Sequence, residues 1–368
     1  MLNNLKKSSS KMKAKSSIAI ILGTRPELIK LSPVIRALQH QNRAFFLIHT
    51  NQHYSANMDA VFFDELRLPK PKYNLNVQES LHGVMTAKML IGIEEILMKE
   101  KPDWVIVQGD TNTVLAGGLA SAKLGIKVAH VEAGLRSYDR TMPEEINRVV
   151  VDHLSDALFA PTQKQAEILK NEGIEKDKIH VVGNTIVDAV QQNLEFAKQT
   201  ELFKRVVNST YFLLTLHRPA NVDNKASLES IILTVEGLAK KHGAKVLFPV
   251  HPRTKKMLDQ FGIKLSTEVF EEMEPVGYLE MLALQVNALV ILTDSGGIQE
   301  EACILQVPCI TLREHTERPE TIDVGASVLA GSDPKKIEAG VKWALRVKRD
   351  WSNPFGDGES GEKIVEGM

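Results

Sequence analysis

The chain has 368 residues, of which 43% are hydrophobic and 25% charged, and its formal net charge is −1. That length exceeds one ordinary core and favours two domains. The balanced charge excludes a general nucleic-acid binder, and the ordinary apolar content excludes a disordered chain. Its two cysteines, Cys303 and Cys309, form no CxxC pair and have no histidine at metal-ligand spacing, so a reduced, cytoplasmic protein is expected.

The chain opens on a polar stretch with Lys6, Lys7, Lys11, Lys13 and Lys15, read as a solvated tail. The apolar run Ile18 to Leu22 that follows is too short for a signal-peptide core or for a membrane span of about 20 residues, so no membrane partner is expected. Strand-like runs then alternate with helical stretches. In the first half they fall at Ser17–Leu22, Ala44–His49, Trp104–Val107, Lys127–Val131, Ala157–Phe159 and Ile179–Val182. In the second half they fall at Tyr211–Leu216, Lys245–Val250, Ala288–Leu292 and Val307–Leu312. Several runs are apolar on both faces, as parallel strands covered by helices are. The pattern predicts α/β architecture with doubly wound parallel sheets. A break after Val182-Gly-Asn-Thr185 divides the chain into a domain over 17–188 and one over 189–351. A loop signal and a short helix follow over 352–368.

Ligands of open parallel sheets bind at the carboxyl ends of the strands. Here those ends are polar. The first half has Gly23-Thr-Arg-Pro-Glu27, Thr50-Asn-Gln-His53, Gln108-Gly-Asp-Thr111 and Glu132-Ala-Gly134. The second has His217-Arg218, His251-Pro252 and Asp294-Ser-Gly-Gly297. The run Leu292-Thr-Asp-Ser-Gly-Gly-Ile-Gln-Glu-Glu301 carries the most information. It is a strand, then a loop, then a helical segment predicted over 298–305. Unpaired N–H groups and the helix dipole make that end attractive to anions, and Gly296 and Gly297 let a diphosphate approach the backbone beside Ser295. The carboxylate of Glu301, one turn in, suits the hydroxyls of a ribose, so the site reads as one for a nucleotide or nucleotide-sugar.

Arg25 sits in a tight turn before a helix, where its fork of donors suits phosphate. Asp110 is a candidate for chemistry or for capping the next helix, whereas Glu132 is the wrong residue type for a cap. Glu144 stands at a helix start, where acids complement the dipole, and is four residues from Arg148, so an ion pair is the alternative to a functional role. His217 lies at a strand end, where a core histidine seldom sits.

Taken in order, these motifs and others resemble the non-hydrolysing UDP-N-acetylglucosamine 2-epimerases over nearly the whole chain. The others are His130-Val-Glu-Ala-Gly-Leu-Arg136, Pro143-Glu-Glu-Ile-Asn-Arg148, Thr316-Glu-Arg-Pro-Glu320 and Asn353-Pro-Phe-Gly-Asp-Gly358. The run from Arg136 to Glu145 is most similar to the archaeal branch. The resemblance implies a GT-B-like fold, with two Rossmann-like domains around a cleft and the last helix packing back on the first domain. It implies a homodimer, no cofactor, no metal, and supply of UDP-ManNAc for surface polysaccharide or glycan synthesis. It assigns Asp110, Glu132 and Glu144 jointly to proton removal and return, and His217 to the leaving diphosphate. Phosphate oxygens fall to Arg25, Ser295, Gly296, Gly297 and Arg318, a further ligand contact to Lys30, and the ribose to Glu301. Met281 stands where bacterial members carry a phenylalanine near the uracil. Gln52 and Ser55 stand where they carry two glutamines for an activating second UDP-GlcNAc, so allosteric activation is not expected.

The C2 proton of the sugar is not acidic, because no carbonyl adjoins that carbon, and no dinucleotide fingerprint points to an oxidised intermediate. Elimination of UDP to a 2-acetamidoglucal, then re-addition, solves this and needs acid/base groups on two faces. Burial and mutual repulsion are expected to raise the pKa values of the three acids. The rival readings are a GT-B glycosyltransferase with a UDP-sugar donor, a hydrolysing epimerase and a catalytically silent nucleotide-sugar sensor. Because both halves must meet one ligand, the domains are expected to close on it.

Overall fold

The computed structural model describes residues 17–51 and 62–368; the N-terminal lysines and Gln52, His53 and Ser55 lie outside the described residues. In the first half the strands are β1 (Ser17–Leu22), β2 (Ala44–His49), β3 (Tyr73–Asn74), β4 (Trp104–Gln108), β5 (Lys127–Val131), β6 (Ala157–Ala160) and β7 (Ile179–Val181). In the second they are β8 (Tyr211–Thr215), β9 (Lys245–Pro249), β10 (Phe270–Met273), β11 (Val290–Thr293), β12 (Cys309–Thr311) and β13 (Ser327–Leu329).

Two parallel sheets result, ordered β3-β2-β1-β4-β5-β6-β7 and β10-β9-β8-β11-β12-β13. The reason is visible in β1, where Ile18 to Leu22 are all fully buried. Ile20 and Leu22 join a core with Leu31, Ile35, Ile106 and Phe159 on one face. Ala19 and Ile21 join Met89, Ile93, Val105 and Val107 on the other. Only a sheet covered by helices on both sides buries a strand this way. Strand order reverses between β1 and β4 in the first sheet and between β8 and β11 in the second. The loops leaving each pair diverge, and that divergence opens the crevice where such sheets bind ligands.

The last helix, Ser360–Glu366, lies on the helix Arg25–His40. Ile364 and Val365 are fully buried in the same core as Leu31 and Ile35. Gly361 donates its N–H to Asp188 at 2.8 Å, and a Cβ there would come within 2.9 Å of the Pro33 backbone, so only glycine permits the approach. Tyr278, Leu282 and Ala283, from the helix Tyr278–Val286 of the second half, join that core as well.

Three strands, β3, β10 and β13, carry no sequence signal, and each stands at the edge of its sheet. These three have no long apolar run to betray them, unlike β7, the remaining edge strand. β10 reads Phe-Glu-Glu-Met, and its two glutamates are exposed. Elsewhere the boundaries move. β11 and β12 begin two residues later than the apolar runs suggest, and the helix after β11 spans Gly296–Ile304. Gly296 and Gly297 therefore form its first turn, not the loop before it.

Candidate active site

Ser295 caps the helix Gly296–Ile304, its hydroxyl accepting from Ile298 N at 3.5 Å. The N–H groups of the first turn have no intrahelical acceptor. A Cβ at Gly296 or Gly297 would meet nothing within 4 Å, and neither has a positive φ. The fold thus makes no demand for glycine at either position, and the backbone of the first turn is left open to approach.

His217 stands across the β8–β11 switch from this helix. Its Nδ1 is 2.8 Å from Oδ1 of Asp294, which is fully buried and also accepts from Arg218 N at 2.9 Å and Asn221 Nδ2 at 3.1 Å. Burial works to weaken the acidity of Asp294, but these bonds, His217 first among them, outweigh it and hold the carboxyl below its usual range. An ionised Asp294 commits Nδ1 as donor and leaves Nε2 as the working edge of the ring. His251 lies beside His217, with ring centroids 5.7 Å apart, and its Nδ1 caps the helix Pro252–Phe261 by accepting from Arg253 N at 3.2 Å.

In the first half, Glu132 follows β5 with a left-handed backbone (φ 69°), a strained conformation for a residue with a side chain. It is buried, and Lys30 Nζ donates to its two oxygens at 2.7 and 2.8 Å; Gln108 Nε2 donates to it as well. Burial pushes the Glu132 pKa up, but Lys30 and Arg318 outweigh it and hold the carboxyl below its usual range. Asp110 goes the other way. Burial raises its pKa, with the Glu132 charge helping, against the attraction of Arg148. The expectation that the acids all shift upward therefore fails at Glu132, because a buried cation sits against it.

Thr111, not Asp110, caps the helix Asn112–Lys123. Arg148 ion-pairs with Asp110 and, at 3.0 Å, with Glu145. It makes no pair with Glu144, which stands half-buried in the first turn of the helix Pro143–Leu154 with no side-chain partner among the described residues. Glu145 is occupied holding Ser137 and Tyr138 N–H groups, each at 2.9 Å.

The two halves meet at Lys30. Its Nζ also lies 4.0 Å from Oε2 of Glu300, on the glycine-led helix, and Oε1 of Glu300 lies 2.6 Å from Arg318 Nε. Beside it Glu301 is buried and accepts from Gln285 Nε2 at 2.5 Å. Burial pushes its pKa up to about 7 despite that bond. Arg25 opens the helix Arg25–His40, with its guanidinium 4.7 Å over the Phe62 ring, and its charge reaches Glu301.

Sequence reasoning missed the roles of Glu27, Gln108, Asp294 and Glu300. Gln108, Asp294 and Glu300 have no local signal, since their partners are distant in sequence. Glu27 had one, a threonine three residues before a glutamate at a helix start. Its carboxylate accepts from Gly23 N at 2.6 Å and Thr24 N at 2.9 Å, and from the Thr111 hydroxyl. It thus joins the two loops at the first switch point. No group of three or more His, Cys, Asp or Glu able to hold a metal occurs among the described residues.

The family model for UDP-N-acetylglucosamine 2-epimerase matches residues 36–368. The chain is 58% identical over 356 residues to the UDP-N-acetylglucosamine 2-epimerase of Methanococcus maripaludis, covering 95% of this chain and 97% of that one. It also matches the crystal structure of the Methanocaldococcus jannaschii UDP-GlcNAc 2-epimerase in complex with UDP-GlcNAc and UDP. There the TM-score is 0.84 and the identity 58%, over 95% of this chain and 98% of that one. A glycotransferase of kitacinnamycin, at 11% identity and a TM-score of 0.60 over 96% of this chain and 94% of that one, shares the fold alone. With two doubly wound sheets of GT-B type and a match running through both of them, the chain belongs to the UDP-N-acetylglucosamine 2-epimerase family, close to its archaeal members.

Proposed function

We infer that this protein interconverts UDP-N-acetylglucosamine and UDP-N-acetylmannosamine by elimination and re-addition of UDP. One observation carries the reading: Lys30 couples a buried acid at the end of the first sheet, Glu132, to the anion-attracting helix of the second, through Glu300. A ligand with a diphosphate at one end and a proton to be moved at the other fits between those two features.

In the forward direction a carboxylate takes the proton from C2, the C1–O bond breaks, and the electron pair of the C2–H bond becomes the C1–C2 double bond. His217 Nε2 and the N–H groups of Gly296 and Gly297 receive the charge that builds on the departing diphosphate, with Arg25 and Arg318 beside it. Addition of UDP to C1, with a proton arriving on the opposite face of C2, completes the inversion. Glu132, held ionised by Lys30, suits proton removal. Asp110, less acidic than usual, suits proton return, and Glu144 faces the same task from the helix start. An arriving diphosphate competes for Lys30, and loss of that cation makes Glu132 a stronger base. The Glu301 carboxylate takes the ribose hydroxyls.

We extend the reading to a homodimer in the cytoplasm. The outer face of the helix His82–Glu100 leaves Val84, Ile91 and Met98 exposed at heptad spacing, and Ile146 and Val150 of the helix Pro143–Leu154 are exposed as well. A second copy covering these residues would account for them. Both cysteines are buried free thiols, and no helix among the described residues is long and apolar enough to cross a membrane.

The test is incubation with UDP-GlcNAc alone in D₂O, followed by NMR. UDP-ManNAc carrying deuterium at C2, and deuterium entering C2 of recovered substrate, support the reading. Free ManNAc with UDP means hydrolysis instead. Intact substrate that turns over only after an acceptor is added means glycosyl transfer, and epimerised product with no deuterium at C2 defeats the elimination route.

A further inference from the structure

His130 is fully buried with both ring nitrogens engaged, and the reaction above gives it no part. It lies in β5, opposite Val107 of β4, so its ring reaches just past the end of β4. Nδ1 is 2.7 Å from Oδ1 of Asp152, and Nε2 is 2.8 Å from the carbonyl oxygen of Gly109. Both neighbours are acceptors. A neutral imidazole has one N–H, so one of the two contacts would set lone pair against lone pair in a dry site. Only the doubly protonated ring donates to both.

The next residue after Gly109 is Asp110. We propose that His130 is a positioning residue for the epimerisation, an imidazolium that anchors the Asp110 loop to the buried Asp152 carboxylate. The inference rests on the function proposed above.

The surroundings fit. Asp152 Oδ2 accepts from Arg136 Nη1 at 2.6 Å and from Gly134 N at 3.2 Å, and Arg136 pairs in turn with Glu172. His130 and Arg136 thus face Asp152 and Glu172, two cations against two anions, so a charged ring leaves the cluster neutral. Asp110, itself paired with Arg148, is the remaining charge toward His130. Burial works against the charge on His130, and Asp152 with the Gly109 carbonyl outweighs it, raising the pKa above the usual imidazole value.

Through Gly134, Asp152 also holds the turn that follows Glu132. From the same helix Asn147 Nδ2 donates to the Asp110 carbonyl at 2.9 Å. The helix Pro143–Leu154 therefore carries Glu144 directly and grips the loops of both other acids. His130 is its longest reach, and Gly109, at φ 82°, is the pliable residue that needs gripping.

The experiment has two arms. In wild-type enzyme labelled with ¹⁵N-histidine, NMR should show protons on both His130 nitrogens from pH 6 to beyond pH 8. A ring that carries one proton at pH 7 overturns the inference, whether or not any variant folds. In the second arm, His130→Gln and Asp152→Asn should each lower kcat by about 10²-fold, the cost of misplacing a reacting group by roughly 1 Å. KM and UDP affinity should change little, because the cluster's hydrogen bonds and ion pairs run to Gly109, Gly134 and Glu172 and not to the Ser295 helix. The pH–rate profile should also move, since Asp110 loses its fixed setting. Unchanged kcat and profile in folded variants would overturn the positioning role. Wild-type enzyme that fails to epimerise UDP-GlcNAc would instead defeat the functional reading and leave the ring's protonation to be judged by NMR alone.

Discussion

The two walls of the cleft are built on opposite plans. On the first-sheet side every acid except Glu144 is locked. Glu132 is gripped by Lys30 and Gln108, Asp110 by Arg148, and Glu27 spans two loops. On the second-sheet side the helix start at Gly296 is surrounded by open space, and the His217 side chain is 37% exposed. The difference suits the two tasks proposed for the walls. Moving a proton needs carboxyls whose acidity is set by burial and fixed neighbours. Holding a diphosphate needs donors left unused until the ligand arrives. A wall packed for the first task would have no room for the second.

Three substitutions break or sharpen that contrast. Glu132→Gln removes the acid but keeps the shape, and should lower kcat by about 10²–10⁴-fold while UDP affinity, measured by calorimetry, stays near wild type. A matching loss of UDP binding would mean that the walls do not divide the work. Lys30→Met leaves Glu132 buried without its cation and should cost about 3–5 kcal/mol in denaturant unfolding at pH 7. The sign with pH follows from the depressed Glu132 pKa. The pair's contribution is present above the unfolded carboxyl value and disappears as pH falls through the lower folded value, so the gap between variant and wild type should narrow in acid. A gap constant with pH would show that Glu132 is not the group left stranded. The smallest effect belongs to the open wall. Gly297→Ala meets no atom within 4 Å in the free protein and should stabilise it by up to about 1 kcal/mol, yet weaken UDP binding by about tenfold. If stability rises and UDP binding is unmoved, the backbone at Gly297 is not where the anion lies.

Much of this was legible before the fold. Buried strands announce themselves by apolar runs, and their polar ends fall into register at the crevice, so Asp110, Glu132, His217 and Ser295 could be named from the chain. The edge strands β3, β10 and β13 could not, because a strand with one solvated side and few residues has no distinctive composition, whereas β7, the fourth edge strand, was found from its run Ile179–Val182. The direction of the Glu132 shift was misread for a related reason. Repulsion among acids can be imagined from their spacing, but the lysine that reverses it is 102 residues away.

The sequence by itself determined which segments are the central strands, that a helix follows the two glycines and which reactive side chains stand near the strand ends, because these are local matters of periodicity, capping and backbone freedom. Tertiary structure alone decided the partners. Lys30 on Glu132, Arg148 on Asp110, and His130 between Asp152 and Gly109 arise where separate strands and helices pack together. There the absence of water makes each charge depend on whatever stands within about 3 Å of it.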